Sequence, residues 1–190
     1  KNLTFSLLLR PEHIPANRQF LLSEIVSLAT VDVLNRYATG FSIKWPNDIY
    51  WHDKKIAGIL IENVLSGSTF SRAIIGMGLN INQKNFYRDA PNPVSLYQIT
   101  GRTYKIEKIL DEFTEAFGKR YTDTFTNSSD RIHKEYIAAL YRNDGVYPFY
   151  SDGNIFHASI ADVELDGHLL LSTESGEKKR FAFKEVSFLL

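Results

Sequence analysis

The first ten residues, Lys1-Asn-Leu-Thr-Phe-Ser-Leu-Leu-Leu-Arg10, alternate between apolar and polar and then run apolar. That is the pattern of a central strand, and Pro11 and Pro15 break the backbone behind it. The period then changes. Over residues 17–37, Leu21, Leu22, Ile25, Leu28, Ala29, Val33 and Leu34 recur three and four positions apart until Gly40, which predicts a helix forming one wall of the core. Three extended runs follow at about 42–51, 56–65 and 70–81, divided by His52-Asp53-Lys54 and by Ser66-Gly67-Ser68. Separations this short and polar predict an antiparallel meander rather than parallel crossovers. Pro46 cannot donate to a sheet ladder, so the first run is expected to be interrupted or bulged where Asn47 and Asp48 emerge.

Residues 83–92 are polar and contain proline, as a surface loop would. Helices are expected at 106–125 and 129–142, with Leu110, Phe113, Phe117 and Tyr121 as a core-facing stripe. At Asn143-Asp144-Gly145 the pattern becomes short strands divided by Ser151-Asp-Gly153, Asp166-Gly167 and Glu174-Ser-Gly176. Five such pieces predict a small SH3-like β-barrel. The expected class is α+β, with a main domain at 1–143 and the barrel at 144–190.

Composition narrows what the chain does. With 190 residues and 44% apolar content it can bury one good core and a small appendage. Its 22 basic and 22 acidic residues cancel, so no global field draws it to nucleic acid or an anionic membrane, and any electrostatic function is local. No cysteine is present, which removes disulfides, thiol nucleophiles and thiolate metal sites. The histidines at 13, 52, 133, 157 and 168 show no i, i+4 pairing, so no metal site is assigned. No apolar stretch reaches membrane-span length and the first residues lack a signal-peptide pattern, so a reducing, cytoplasmic setting is expected. The opening strand has no initiator methionine, and the chain is expected to begin inside a domain.

The segment 41–62 concentrates the candidate chemistry. Lys55 stands at the head of an otherwise apolar strand, where a lysine either reaches solvent or meets an anion. Gly58, inside the same strand, marks close approach by a ligand or another backbone, and Gly76 and Gly78 repeat that signal on the next run. A lone Gly-x-Gly without a strand-to-helix context is no dinucleotide fingerprint, and these glycines read as a smooth sheet floor for a flat ligand. Asp48 has three roles open to it: accepting from an amine, helping to hold a hydrated divalent ion, or capping the local turn. Together these groups outline a site for a small carboxylate with an apolar body.

Three motifs then carry a resemblance: Lys-Trp-Pro-Asn-Asp at 44–48, Lys-Ile-Ala-Gly-Ile-Leu-Ile-Glu at 55–62 and Gly-Met-Gly-Leu-Asn at 76–80. In this order and spacing they resemble the signature of biotin protein ligases, and the likeness extends through the helical middle to the terminal barrel. It implies a catalytic core like that of class II aminoacyl-tRNA synthetases. The implied activity makes biotinyl-5′-AMP from biotin and ATP with Mg2+, then passes biotin to a lysine of a carboxylase's biotin carboxyl-carrier domain. By the same resemblance Lys55 meets the biotin carboxylate and the α-phosphate, and Gly58, Leu60, Gly76 and Gly78 line the biotin channel. Asn80 faces the adenine, Lys44 and Asn47 support phosphate or metal, and Asp48 orients the incoming lysine amine.

The family's upstream Gly-Arg-Gly-Arg-x-Gly-Arg loop, a lid over the adenylate, does not occur in these residues, and the chain ends in Val186-Ser-Phe-Leu-Leu190 where some relatives place an arginine near the nucleotide. Feeble or absent ligation by these residues alone is therefore expected. Two other readings stand beside this one: a lipoate or octanoate transferase relative, and a non-catalytic binding or homodimerising module.

Overall fold

In the computed structural model, which describes residues 1–66, 69–87, 92–126 and 129–189, strand β1 (Leu3–Leu9) runs antiparallel to β5 (Thr69–Leu79), with Leu3 opposite Leu79 and Leu9 opposite Ala73. Gly67 and Ser68 of the expected turn, positions 88–91 of the expected loop and Leu190 lie outside the described residues. The first expected run is two strands, β2 (Phe41–Lys44) and β3 (Asp48–Trp51), which pair with each other around a turn containing a cis Trp45–Pro46 bond. Strand β4 (Lys54–Ser66) completes a five-stranded sheet in the order β1-β5-β4-β3-β2, antiparallel at every pairing. The meander is as the short polar turns imply. The proline does more than bulge the run, because it sits where the chain reverses.

One face of this sheet supplies the core. Ala73, Ile75, Met77 and Leu79 of β5, and Ala57 and Ile59 of β4, are buried in alternation, as a half-covered sheet requires. They share one core with helix α1 (Leu21–Leu34), which is shorter than the expected 17–37 because Ala16–Arg18 form a separate 3-10 turn. Helix α1 is more than a wall. Leu22, Ile25, Val26, Ala29 and Leu34 are fully enclosed, and Glu24, Ser27 and Thr30 are buried with them. It packs against the sheet on one side and on the other against α3 (Ile106–Asp123) and α4 (Ser129–Ala138). Each such enclosed Leu or Ile contributes about 2 kcal/mol by leaving water. Of the expected α3 stripe, Phe113 and Phe117 are buried and Leu110 and Tyr121 lie at the margin.

The short helix α2 (Leu96–Thr100) has too few residues for its period to show in the sequence. A capping box holds it: Gln98 N–H donates to the Ser95 hydroxyl, Ser95 N–H donates to the Gln98 side chain, and Gly101 closes it at a positive φ of 72°. The C-terminal stretch forms β6 (Tyr147–Ser151), β7 (Asn154–Val163), β8 (Leu169–Thr173), β9 (Lys178–Phe181) and β10 (Ser187–Phe188). They make a second antiparallel sheet in the order β10-β6-β7-β8-β9, around Phe149, Ala158, Leu169, Leu171 and Phe188. No helix among the described residues is long and apolar enough to cross a membrane.

His133 of α4 joins the two parts. Its Nδ1 lies 2.7 Å from Glu24 Oε1 of α1, and its Nε2 lies 2.9 Å from Asp162 Oδ1 of β7. The hydrogen bond to Glu24 leads in pushing the His133 pKa from 6.5 up to about 9, against the effect of its own burial. Burial pushes Glu24 upward too, partly offset by His133. An imidazolium held above its unfolded pKa stabilizes the fold fully below pH 6.5, and that stability is lost as pH rises through about 9. The unfolding free energy from denaturant titration should therefore fall between pH 6 and pH 10 by an amount on the order of 2 kcal/mol, and His133→Ala should flatten that slope.

Candidate functional site

Alternation decides which residues share the face turned away from α1. Cross-strand pairing sets Thr4, Gly78, Gly58, Asp48 and Lys44 in one row across the five strands, with Ser6, Gly76 and Leu60 in the next. Two large side chains on this face stand exposed, Leu8 at 63% and Leu60 at 62%, while Tyr50 near its β2 end is buried. The glycines leave a shallow trough. A side chain at Gly78 would meet nothing within 4 Å, and one at Gly76 would meet only Leu60, its carbonyl oxygen at 3.7 Å and its Cβ at 4.0 Å.

At one end of the trough Lys55 Nζ pairs with Asp48 Oδ1 at 2.6 Å. Gly58 makes room for this. A Cβ there would stand 3.3 Å from both Cε and Nζ of Lys55 and 3.4 Å from Asp48 Oδ1, so the lysine lies across the strand where a side chain would otherwise be. Both partners remain about one-third exposed, so the pair adds little stability but stays within a ligand's reach. An ammonium has three donors, which leaves two for an incoming anion.

Local structure explains how the pair is aimed. The β3–β4 register shifts between Ile49 and Tyr50, and Lys55 N–H donates to Asn92 O at 2.8 Å while its carbonyl accepts from Val94 N–H at 2.9 Å. Asn47 fixes the turn before Asp48, because its side-chain amide donates to Ile59 O and its carbonyl accepts from Ile59 N–H at 2.9 Å.

Seven residues named from the sequence thus share one face: Lys44, Asp48, Lys55, Gly58, Leu60, Gly76 and Gly78. Lys44, Asn47 and Asn80 are each engaged by other parts of the fold. Lys44 Nζ donates to Tyr50 OH at 3.0 Å and lies over the Phe188 ring at 5.5 Å. Burial lowers its pKa, with the Asp48 charge acting the other way. Asn47 is spent on the turn. Asn80 donates to Val94 O and accepts from Asn2, both at 3.2 Å, at the end of β5.

Thr4 and Ser6 complete the rows from β1 and were not singled out, although the alternation of Leu3-Thr4-Phe5-Ser6 contains the signal. Elsewhere Glu164, Asp166 and His168 come together as a metal site might, but the Arg180 guanidinium bonds all three and already supplies the positive charge.

The Biotin/lipoate A/B protein ligase family matches residues 1–80. The chain is 30% identical over 187 residues to the bifunctional ligase/repressor BirA of Bacillus spizizenii, covering 93% of this chain and 55% of the relative. It is 30% identical over 148 residues to the biotin–[acetyl-CoA-carboxylase] ligase of Paracoccus denitrificans, covering 74% of this chain and 61% of the relative. The chain thus spans a little over half the length of these curated relatives. A structure of the Aquifex aeolicus biotin protein ligase in complex with biotin and ATP superposes with a TM-score of 0.78 at 24% identity, over 98% of this chain and 77% of that one, a likeness of fold. Residues 1–80 thus carry the match to the biotin/lipoate A/B protein ligase family, and the chain along most of its length, with its motifs at 44–48, 55–62 and 76–80, is similar to biotin protein ligases.

Proposed function

We propose that this chain contributes the binding floor and the central lysine for ATP-dependent attachment of biotin to a carrier-protein lysine. The observation that carries the reading is the Lys55–Asp48 pair standing at the end of a side-chain-free trough. Biotin's fused ring system and aliphatic chain would lie over Gly58, Gly76 and Gly78 beside Leu60, with its carboxylate toward Lys55. That carboxylate attacks the α-phosphorus of ATP, forming the mixed anhydride biotinyl-5′-AMP and releasing pyrophosphate. Lys55 would bring the two anions together and offset the charge that builds on the phosphorus. The carrier lysine's amine then attacks the acyl carbon, releasing AMP, and Asp48 would orient that amine and draw off its proton.

Lys44 and Asn47 border this end of the trough and Asn80 its side, so their nucleotide contacts belong to the same proposal. Magnesium would arrive with the triphosphate. Asp48 is the carboxylate at the site and Lys55 already engages it, which fits at most one protein ligand for the ion. A boundary near residue 143, a cytoplasmic setting, a biotin carboxyl-carrier domain as acceptor and a homodimeric state complete the proposal. The 190 residues contain no Gly/Arg loop to close over an adenylate, so by themselves they are expected to ligate feebly.

A lipoate reading draws on the breadth of the family's description, which includes lipoate ligases. Calorimetric titration of the chain with biotin and with lipoate separates the two. We expect saturable heat from biotin and none from lipoate, and the reverse would transfer the trough to lipoate.

A further inference from the structure

The turn that delivers Asp48 to Lys55 is also gripped from outside its own sheet. Trp45, only 4% exposed, donates its indole N–H to Gly167 O at 2.9 Å, across 122 positions of sequence. Its ring meets Phe183 edge-on with centroids 6.5 Å apart. Gly167 has a φ of +96°, and a Cβ there would fall 2.6 Å from the Phe20 ring, so only glycine fits. Phe20 in turn packs edge-on against Tyr136 of α4 at 5.6 Å. The turn between β7 and β8 is therefore seated between Phe20 and Trp45. On the other flank of the β2–β3 turn, Asn47 is tied to Ile59 in both directions. Strand β2 is the sheet's last strand; its outer side is tied at Ile43, whose N–H donates to Ala139 O and whose carbonyl accepts from Tyr141 N–H, both at 2.8 Å, which leaves the turn after Lys44 to be held by Trp45 and Asn47.

We propose that the second sheet acts through the Trp45–Gly167 contact as a positioning element for Asp48, so that its docking sets the geometry of the Lys55–Asp48 pair. Trp45 and Gly167 are positioning residues, and neither lies on the trough. The part of the inference that concerns ligand rests on the biotin reading above.

Three variants test it. Trp45→Phe keeps a ring and deletes the donor, and Gly167→Ala adds one methyl against Phe20. Gly153→Ala is the control, because it imposes the same kind of strain at a φ of +82° in the β6–β7 turn with nothing within 4 Å of the new methyl. Amide exchange is read at Ile59, whose N–H bonds to Asn47 O, and biotin affinity is read by titration of the same proteins.

Trp45→Phe and Gly167→Ala should each speed Ile59 exchange roughly tenfold while the β1–β5 amides hold, and should weaken biotin several-fold. Gly153→Ala should leave both readings at the parent values. Unchanged Ile59 exchange in both contact variants, or equal acceleration by Gly153→Ala, overturns the inference, as does unchanged biotin affinity alongside faster exchange. A parent chain that takes up no biotin counts against the proposed function instead, and the exchange readings, which need no ligand, still decide the positioning role.

Discussion

Replacing Lys55 by alanine should reduce biotinyl-5′-AMP formation by about 10²- to 10³-fold, the usual cost of removing one preorganized charge-stabilizing donor from a reacting center. The measurement is pyrophosphate release, or labeled adenylate, in a preparation that forms the adenylate. The loss should be specific to chemistry. Lys55 is about one-third exposed and its pairing with Asp48 is a surface ion pair, so its removal should cost the fold less than about 1 kcal/mol. Lys44, the neighboring lysine, is turned to Tyr50 and Phe188 rather than to Asp48. Near-normal adenylation by Lys55→Ala, at undiminished thermal stability, would remove the lysine from the center of the account.

The second large effect is expected at Gly78, where binding and stability should move separately. A Cβ there would enter open space on the sheet face, and the residue, one position from the end of β5, is paired on both sides, with Gly58 and with Thr4. Valine suits such a position. It is restricted in the way strands favor, and a glycine in a strand interior costs roughly 0.5–1 kcal/mol in backbone entropy. Gly78→Val should therefore leave the melting temperature unchanged or raise it. The isopropyl group would nevertheless fill the floor on which a flat ligand lies, and biotin affinity should fall roughly a hundredfold through displacement of the bound geometry. A glycine kept for the fold would show the opposite pattern, with lost stability and retained affinity.

How much of this was visible in the chain depended on the range over which each signal acts. The trough was legible because glycine inside a strand is a local anomaly, and the motifs around Lys55, Gly58 and Gly76 lie on neighboring strands joined by short turns. Helix α1 was legible in place and period, though not in its burial on nearly all sides, which needs α3 and α4 in view. Pro46 signaled an interruption, but a single proline cannot distinguish a bulge from the complete reversal that separates β2 from β3. Helix α2 has five residues, fewer than two turns, so only its cap could have announced it. Contacts closed over long separations were invisible. Phe188 under the Lys44 amine and Gly167 at the Trp45 indole both come from the second sheet, and no periodicity in 41–62 encodes either.

The most direct test of the central claim is a paired measurement on the parent chain and Gly78→Val, a calorimetric biotin titration beside a thermal melt. The account expects the variant to melt no lower than the parent and to bind biotin roughly a hundredfold more weakly. Equal biotin affinity in the two proteins, with the valine accommodated and the fold intact, would contradict it.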